Sequence, residues 1–168
     1  RPRVRLLVVG PENGDGDLAW LRRAASQLGI GDKVFFVGHV SHDKVAAYIR
    51  AANVGLSLFP ANRVYTNSSP IKILEYLALE RPVVATSVPD QVRILAESGA
   101  GIATNHSAEE YAEAISDVLA LPPRVRERMG AKGRGWVSCH RDFKVLTRVL
   151  VATYADRLQI RLTREDQG

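Results

Sequence analysis

Short apolar, β-branched runs recur along the chain at Arg5 to Val9, Val34 to Val37, Val54 to Phe59, Val83 to Thr86 and Gly101 to Thr104, with amphipathic stretches between them. Continuous apolar strands alternating with amphipathic helices predict βα units. The expected class is α/β, a Rossmann-like parallel sheet of about five strands with helices on both faces. Leu18, Leu21, Ala25 and Leu28 mark a helix over 17–28 that Gly29 stops. Ser41 reads as the N-cap of the next helix, with Val40 and Val45 placed for a hydrophobic staple. Ser69 before Pro70 reads as an N-cap and a first-turn proline, opening a helix that runs to about Leu79. Ser107 with Glu110 reads as a capping box for a helix ending near Leu121, where Pro122 and Pro123 break it. Two helical stretches, Arg124 to Arg134 and Asp142 to Leu162, then close the chain with no further strand, and Thr163 to Gly168 reads as a frayed end.

Composition narrows this picture. The 168 residues are 46% hydrophobic and 24% charged, which fits one globular domain over 1–168 and excludes disordered, collagenous and coiled-coil classes. No apolar run is long enough to span a bilayer and none sits behind a basic leader, so a soluble, cytoplasmic protein is expected. Cys139 is the single cysteine, which leaves a thiolate metal or redox site without partners. Met129 is the single methionine, so Arg1 is not a natural start and a fragment of a longer protein is expected. The net charge of +5 comes from the end of the chain. Residues 1–120 carry 12 basic against 13 acidic residues, whereas 121–168 carry 11 against 5. That basic end reads as a solvated helix face, with an anionic membrane surface as the other reading. It lacks the interleaved aromatics of a nucleic-acid binder, so no nucleic-acid partner is expected.

In a doubly wound sheet, ligands bind beyond the carboxyl ends of the strands. The richest loop there is Asn67 to Tyr76. A helix opening at Ser69-Pro70 leaves backbone N–H groups free where partial positive charge gathers, which suits a phosphate. Lys72 adds a full positive charge on the first turn, and Glu75 shares its face with Ile71 and Lys72. A carboxylate about 7 to 9 Å along the helix from bound phosphate can accept two hydrogen bonds from a ribose diol. The spacing alone is also that of an ordinary surface Lys–Glu pair with no ligand.

Ser68-Ser69-Pro70-Ile71-Lys72-Ile73-Leu74-Glu75-Tyr76-Leu77-Ala78, followed by Pro82-Val83-Val84-Ala85-Thr86, resembles the donor-site segment of family 4 (group 1) glycosyltransferases of the GT-B fold. Val8-Val9-Gly10-Pro11, Val34-Phe35-Phe36-Val37-Gly38-His39-Val40, Ala51-Ala52-Asn53-Val54 and the closing Arg141-Asp142-Phe143 to Tyr154 agree in order. The resemblance runs through most of the chain. It implies one half of a GT-B fold, the C-terminal half, binding a nucleoside-diphosphate sugar as the donor for retaining transfer. Glu75 matches the glutamate that holds the donor ribose. Lys72, taken as the catalytic cation, and the Ser68, Ser69 and Ile71 backbone would face the diphosphate, with Gly38, His39 and Val40 reading the base and Gly10 on the neighbouring turn.

Asn67 stands where many members carry a glutamate near the sugar, which removes a charge but keeps a donor and an acceptor. Pro70 stands where glycine is common, which removes one N–H and shifts phosphate contact to Ile71 and Lys72. The family's opening strand, its basic pair on the diphosphate and its acceptor domain have no counterpart from Arg1 onward, so the isolated chain is expected to lack transfer activity. Charge on the departing diphosphate can be stabilised without a metal, and no cofactor is implied.

Other polar features read as structure. Asp15-Gly16-Asp17 reads as a turn with Asp17 as N-cap rather than a metal triplet, and Gly10, Gly14 and Gly16 fit neither dinucleotide nor P-loop spacing. His42, His106 and His140 read as surface or cap residues, Asp90 as a cap with sugar contact as the other reading, and Glu109, Glu110 and Glu113 as a solvated face. Rival functions are an epimerase of the same fold acting on a nucleotide sugar, and a non-catalytic module docking a partner or a membrane through the basic tail.

Overall fold

The computed structural model describes residues 4–12, 16–60 and 62–158. The predicted strands are β1 (Leu6–Val9), β2 (Val34–Gly38), β3 (Gly55–Ser57), β4 (Val83–Thr86) and β5 (Gly101–Thr104). Helices α1 (Asp17–Gln27), α2 (His42–Ala51), α3 (Arg63–Thr66), α4 (Ile71–Ala78), α5 (Pro89–Ser98), α6 (Ala108–Ala120), α7 (Pro123–His140) and α8 (Phe143–Leu158) complete the order. The α/β class with parallel strands holds. Among the described residues β1 pairs with β2, and β3, β4 and β5 form a three-stranded sheet in the order β3-β4-β5. They belong to separate compact units, residues 1–52 and 53–168.

In the first unit, β1 and β2 pair in parallel from Leu6 opposite Val34, with a register shift between Val8 and Val9 that sets Val9 opposite Gly38. Leu28 ends α1 and Gly29 follows at φ 65°, as the stop signal predicts. The Arg22 guanidinium on α1 lies 4.4 Å from the ring centroid of Phe36 on β2. Gly16, at φ 71°, takes the N-cap position of α1, so Asp17 lies inside the first turn instead. Ser41 occupies the N-cap of α2 without a side-chain hydrogen bond.

In the second unit, β4 is the central strand and is buried on both sides, which is why it reads as an unbroken apolar run. Because side chains alternate across a sheet, Val83 and Ala85 enter a core with Ile73 and Leu77 of α4, Ile94 and Leu95 of α5, and Trp136 of α7. Val84 points the other way, onto Ala114 and Val118 of α6. Helices therefore cover both faces.

Helix α7 runs past the predicted end at Arg134 to His140, and two of its glycines are sites of close packing. A Cβ on Gly130 would stand 1.9 Å from the Glu80 carbonyl oxygen, and one on Gly133 would stand 2.6 Å from Leu77 Cδ2. Both glycines are buried where α7 crosses α4. The predicted stretch 142–162 is α8 as far as Leu158, and its end, like Thr163 to Gly168, lies outside the described residues.

Candidate functional site

The loop between β3 and α4 carries the predicted donor residues, and most of its side-chain oxygens are already engaged. Asn62 caps α3, its Oδ1 accepting from the Val64 and Tyr65 amides at 3.1 Å each. Ser68 Oγ donates to the Tyr65 carbonyl at 2.9 Å, and Asn67 Nδ2 donates to the Arg63 carbonyl at 3.4 Å. Ser69 does not cap α4. Pro70, at φ −68° and ψ 120°, holds the N-cap position, and the Ser69 hydroxyl donates to Asp90 Oδ2 at 2.5 Å instead. Proline has no side-chain acceptor, so the first turn of α4 has no side-chain cap.

Lys72 and Glu75 do not form the surface pair that their spacing allows. Lys72 Nζ lies 5.7 Å from the ring centroid of Phe59. Phe59 in turn lies 4.9 Å from Tyr65 and is clamped by Thr86, whose Oγ1 accepts from the Phe59 amide at 2.8 Å and donates to its carbonyl at 2.9 Å. With its proton committed to Phe59, Thr86 Oγ1 must accept from the Tyr111 hydroxyl 2.8 Å away. Tyr111 therefore accepts from His106 Nδ1 at 2.7 Å. Glu75 is half-buried, and its carboxylate makes no hydrogen bond or ion pair with any described residue. Its charge, after burial, is the second cause that raises the Tyr76 pKa.

The uncapped first turn of α4, Lys72 and the open Glu75 thus lie along one helix at the carboxyl end of β3 and β4. Gly10, Gly38, His39 and Val40 form a separate group in the first unit. There the Gly10 amide donates to the Gly38 carbonyl at 3.0 Å, and both glycines have positive φ, 151° and 78°, which a side chain would resist.

Asp90 is neither a cap nor a free group. Val88 holds the N-cap position of α5, and besides Ser69 the Asp90 carboxylate accepts from Arg93 at 2.7 Å and from Arg141 at 2.8 Å. Burial pushes its pKa up, but the hydrogen bonds from Ser69 and Arg93 and the charges of Arg141 and Arg93 outweigh it and hold the group below the usual carboxylate range. Phe59 and Arg141 are the members sequence reasoning missed, and Asp90 reads in the sequence as a cap or a sugar contact rather than as the partner of Ser69 and Arg141. The Lys72–Phe59, Ser69–Asp90 and Arg141–Asp90 contacts span 13, 21 and 51 residues, beyond any spacing rule. Glu110 also departs from the capping box. Ser107 Oγ accepts from the Glu110 amide at 3.2 Å, but the Glu110 carboxylate serves Thr104 at 2.7 Å and Asn105 at 3.0 and 3.1 Å, which lowers its pKa.

Beside α6 is a depression of about 250 Å³ lined by Thr104, Asn105, Glu110, Glu113 and Asp117 among others. Its carboxylates make it unsuited to a diphosphate. Among the described residues no group of three His, Cys, Asp or Glu could hold a metal ion, and Asp15 of the acidic triplet lies outside them. No described helix is long and apolar enough to cross a membrane.

The fold and this loop define a parallel α/β protein with an open, basic helix start beyond its strand ends. Residues 1–136 match the family described as Glycosyl transferases group 1, and the chain belongs to that family. It is 31% identical over 130 residues to D-inositol 3-phosphate glycosyltransferase 2 of Catenulispora acidiphila, covering 76% of this chain and 29% of the relative. It is 35% identical over 136 residues to the D-inositol 3-phosphate glycosyltransferase of Streptomyces griseus subsp. griseus, covering 78% and 27%. The chain thus spans under a third of the length of these curated relatives. Among solved structures, sucrose-phosphate synthase from Thermosynechococcus elongatus matches with a TM-score of 0.74 at 23% identity, over 94% of this chain and 39% of that one. Anabaena HepE in complex with UDP and glucose matches at 0.73 and 17%, over 95% and 41%. The fold is the α/β fold of these GT-B glycosyltransferases.

Proposed function

We propose that the chain is the donor-binding, C-terminal domain of a retaining family 4 glycosyltransferase, and that it takes a nucleoside-diphosphate sugar at the start of α4. The observation that carries this reading is the pairing of an uncapped, first-turn-basic helix N-terminus with an open carboxylate one turn on. Free amides of Ile71 and Lys72 and the Lys72 ammonium supply positive charge for a pyrophosphate, which is the charge that builds as the sugar departs. Glu75 accepts from the ribose hydroxyls. Gly10, Gly38, His39 and Val40 keep the base-side role on the strength of the resemblance. No metal is required by these groups. Asn67 and Ser68 contribute backbone rather than side chain, since their side chains are spent on α3. The chain spans under a third of the length of its curated relatives, so nucleotide binding rather than sugar transfer is the property to measure in it.

HepE complexes with UDP make uridine diphosphate the first probe. Calorimetric titration should give measurable heat, and Glu75→Ala should weaken binding by about 1 to 3 kcal/mol through loss of hydrogen bonds to a charged acceptor. A folded chain that gives no heat with any nucleoside diphosphate refutes the reading.

A further inference from the structure

Asp90 is 18% exposed and joins three elements: the loop before α4 through Ser69, its own helix α5 through Arg93, and the end of α7 through Arg141, which is 22% exposed and lies 5.9 Å over the Trp136 ring. A carboxylate beside a pyrophosphate site repels the ligand unless its charge is answered. Here two guanidinium groups answer it, at 2.7 and 2.8 Å. The Ser69 hydroxyl has one proton and gives it to Asp90, leaving none for a phosphate oxygen. Its contribution to binding is therefore to fix where the Ser69-Pro70-Ile71 backbone lies.

We propose that Asp90 is a positioning residue of the donor site, which holds the Ser69–Ile71 backbone in its anion-binding conformation through the Ser69 hydroxyl and is itself anchored to the α7 end by Arg141. This rests on the donor-site reading above. The arrangement makes the start of α4 answer to the C-terminal helices: whatever displaces Arg141 loosens, through Asp90 51 residues before it, the loop at Ser69 a further 21 residues back. Asp90 touches no substrate atom in this scheme.

The test is a double-mutant cycle on uridine diphosphate affinity in the full chain, with Asp90→Ala, Ser69→Ala and the pair, read beside the thermal midpoint of each. Ser69 is exposed, so Ser69→Ala folds even if Asp90→Ala does not. The expected result is that each single change weakens binding about three- to tenfold, the worth of one hydrogen bond, and that the double change costs no more than the larger single one. Hydrogen exchange across residues 62–75 should rise in each variant. Lowered midpoints with unchanged affinity, or losses that add in the double variant, overturn the positioning role while leaving the donor site standing. Absence of nucleotide binding by the unaltered chain overturns both.

Discussion

Helices α4 and α6 of the second unit each bury an apolar stripe, Ile73 and Leu77 in one and Ala114 and Val118 in the other, yet their first turns are finished in opposite ways. Ser107 caps α6, and Glu109 and Glu110 set negative charge against its positive end. That is the standard way to satisfy a helix start. Helix α4 has proline at the N-cap, no side-chain acceptor, and lysine in the first turn, where the dipole disfavours it. A local stability optimum would cap α4 as α6 is capped. The difference teaches that the α4 start is held by the rest of the fold, through Asp90 and the Thr86–Phe59 clamp, and not by a cap of its own, which is the opening the proposed donor site uses.

The comparison can be sharpened from its shared part first. Leu77→Ala removes a fully buried side chain from the α4 stripe and should cost about 2 to 5 kcal/mol in urea unfolding. An intact stability would mean that α4 is not anchored as described. Next, Pro70→Asp gives α4 the acidic cap that a helix start favours. Uridine diphosphate affinity should fall by more than about 1 kcal/mol, because the new carboxylate takes the free amides and repels phosphate, while the cost of burying a charge at Pro70 offsets the gain in stability from the cap. Removing the α6 cap should do the reverse: Ser107→Ala should cost about 1 kcal/mol of stability and leave nucleotide affinity unchanged.

The smallest effect is in pH dependence. The folded pKa of Asp90 lies below its unfolded value of about 3.9, so its stabilisation is complete above that value and is lost as pH falls through the lowered folded one. The gap in thermal midpoint between the native chain and Asp90→Asn should therefore be constant at neutral pH and shrink below about pH 4. A gap that persists at low pH would mean that the ionised form is not what matters.

The sequence pattern located all five strands because buried parallel strands are continuous apolar runs, and β4 and β5 match residue for residue. It also set Lys72 and Glu75 one turn apart on a single helix, where the structure has them, because that spacing is a local property. What escaped depended on contacts across the fold. Ser69 looked like a cap because its competitor, Asp90, lies 21 residues on. The close packing of Gly130 against the backbone of Glu80 and of Gly133 against the side chain of Leu77 was hidden for the same reason, since those partners are far away in sequence.

The most direct measurement is an amide chemical-shift titration of the isotope-labelled chain with uridine diphosphate. Binding at the open helix start predicts that the amides of Ile71, Lys72 and Ile73 move first and saturate together, while those of Ala108 to Glu110 stay put. Movement at the capped start of α6, or a silent α4 in a chain that binds the nucleotide, would contradict the account.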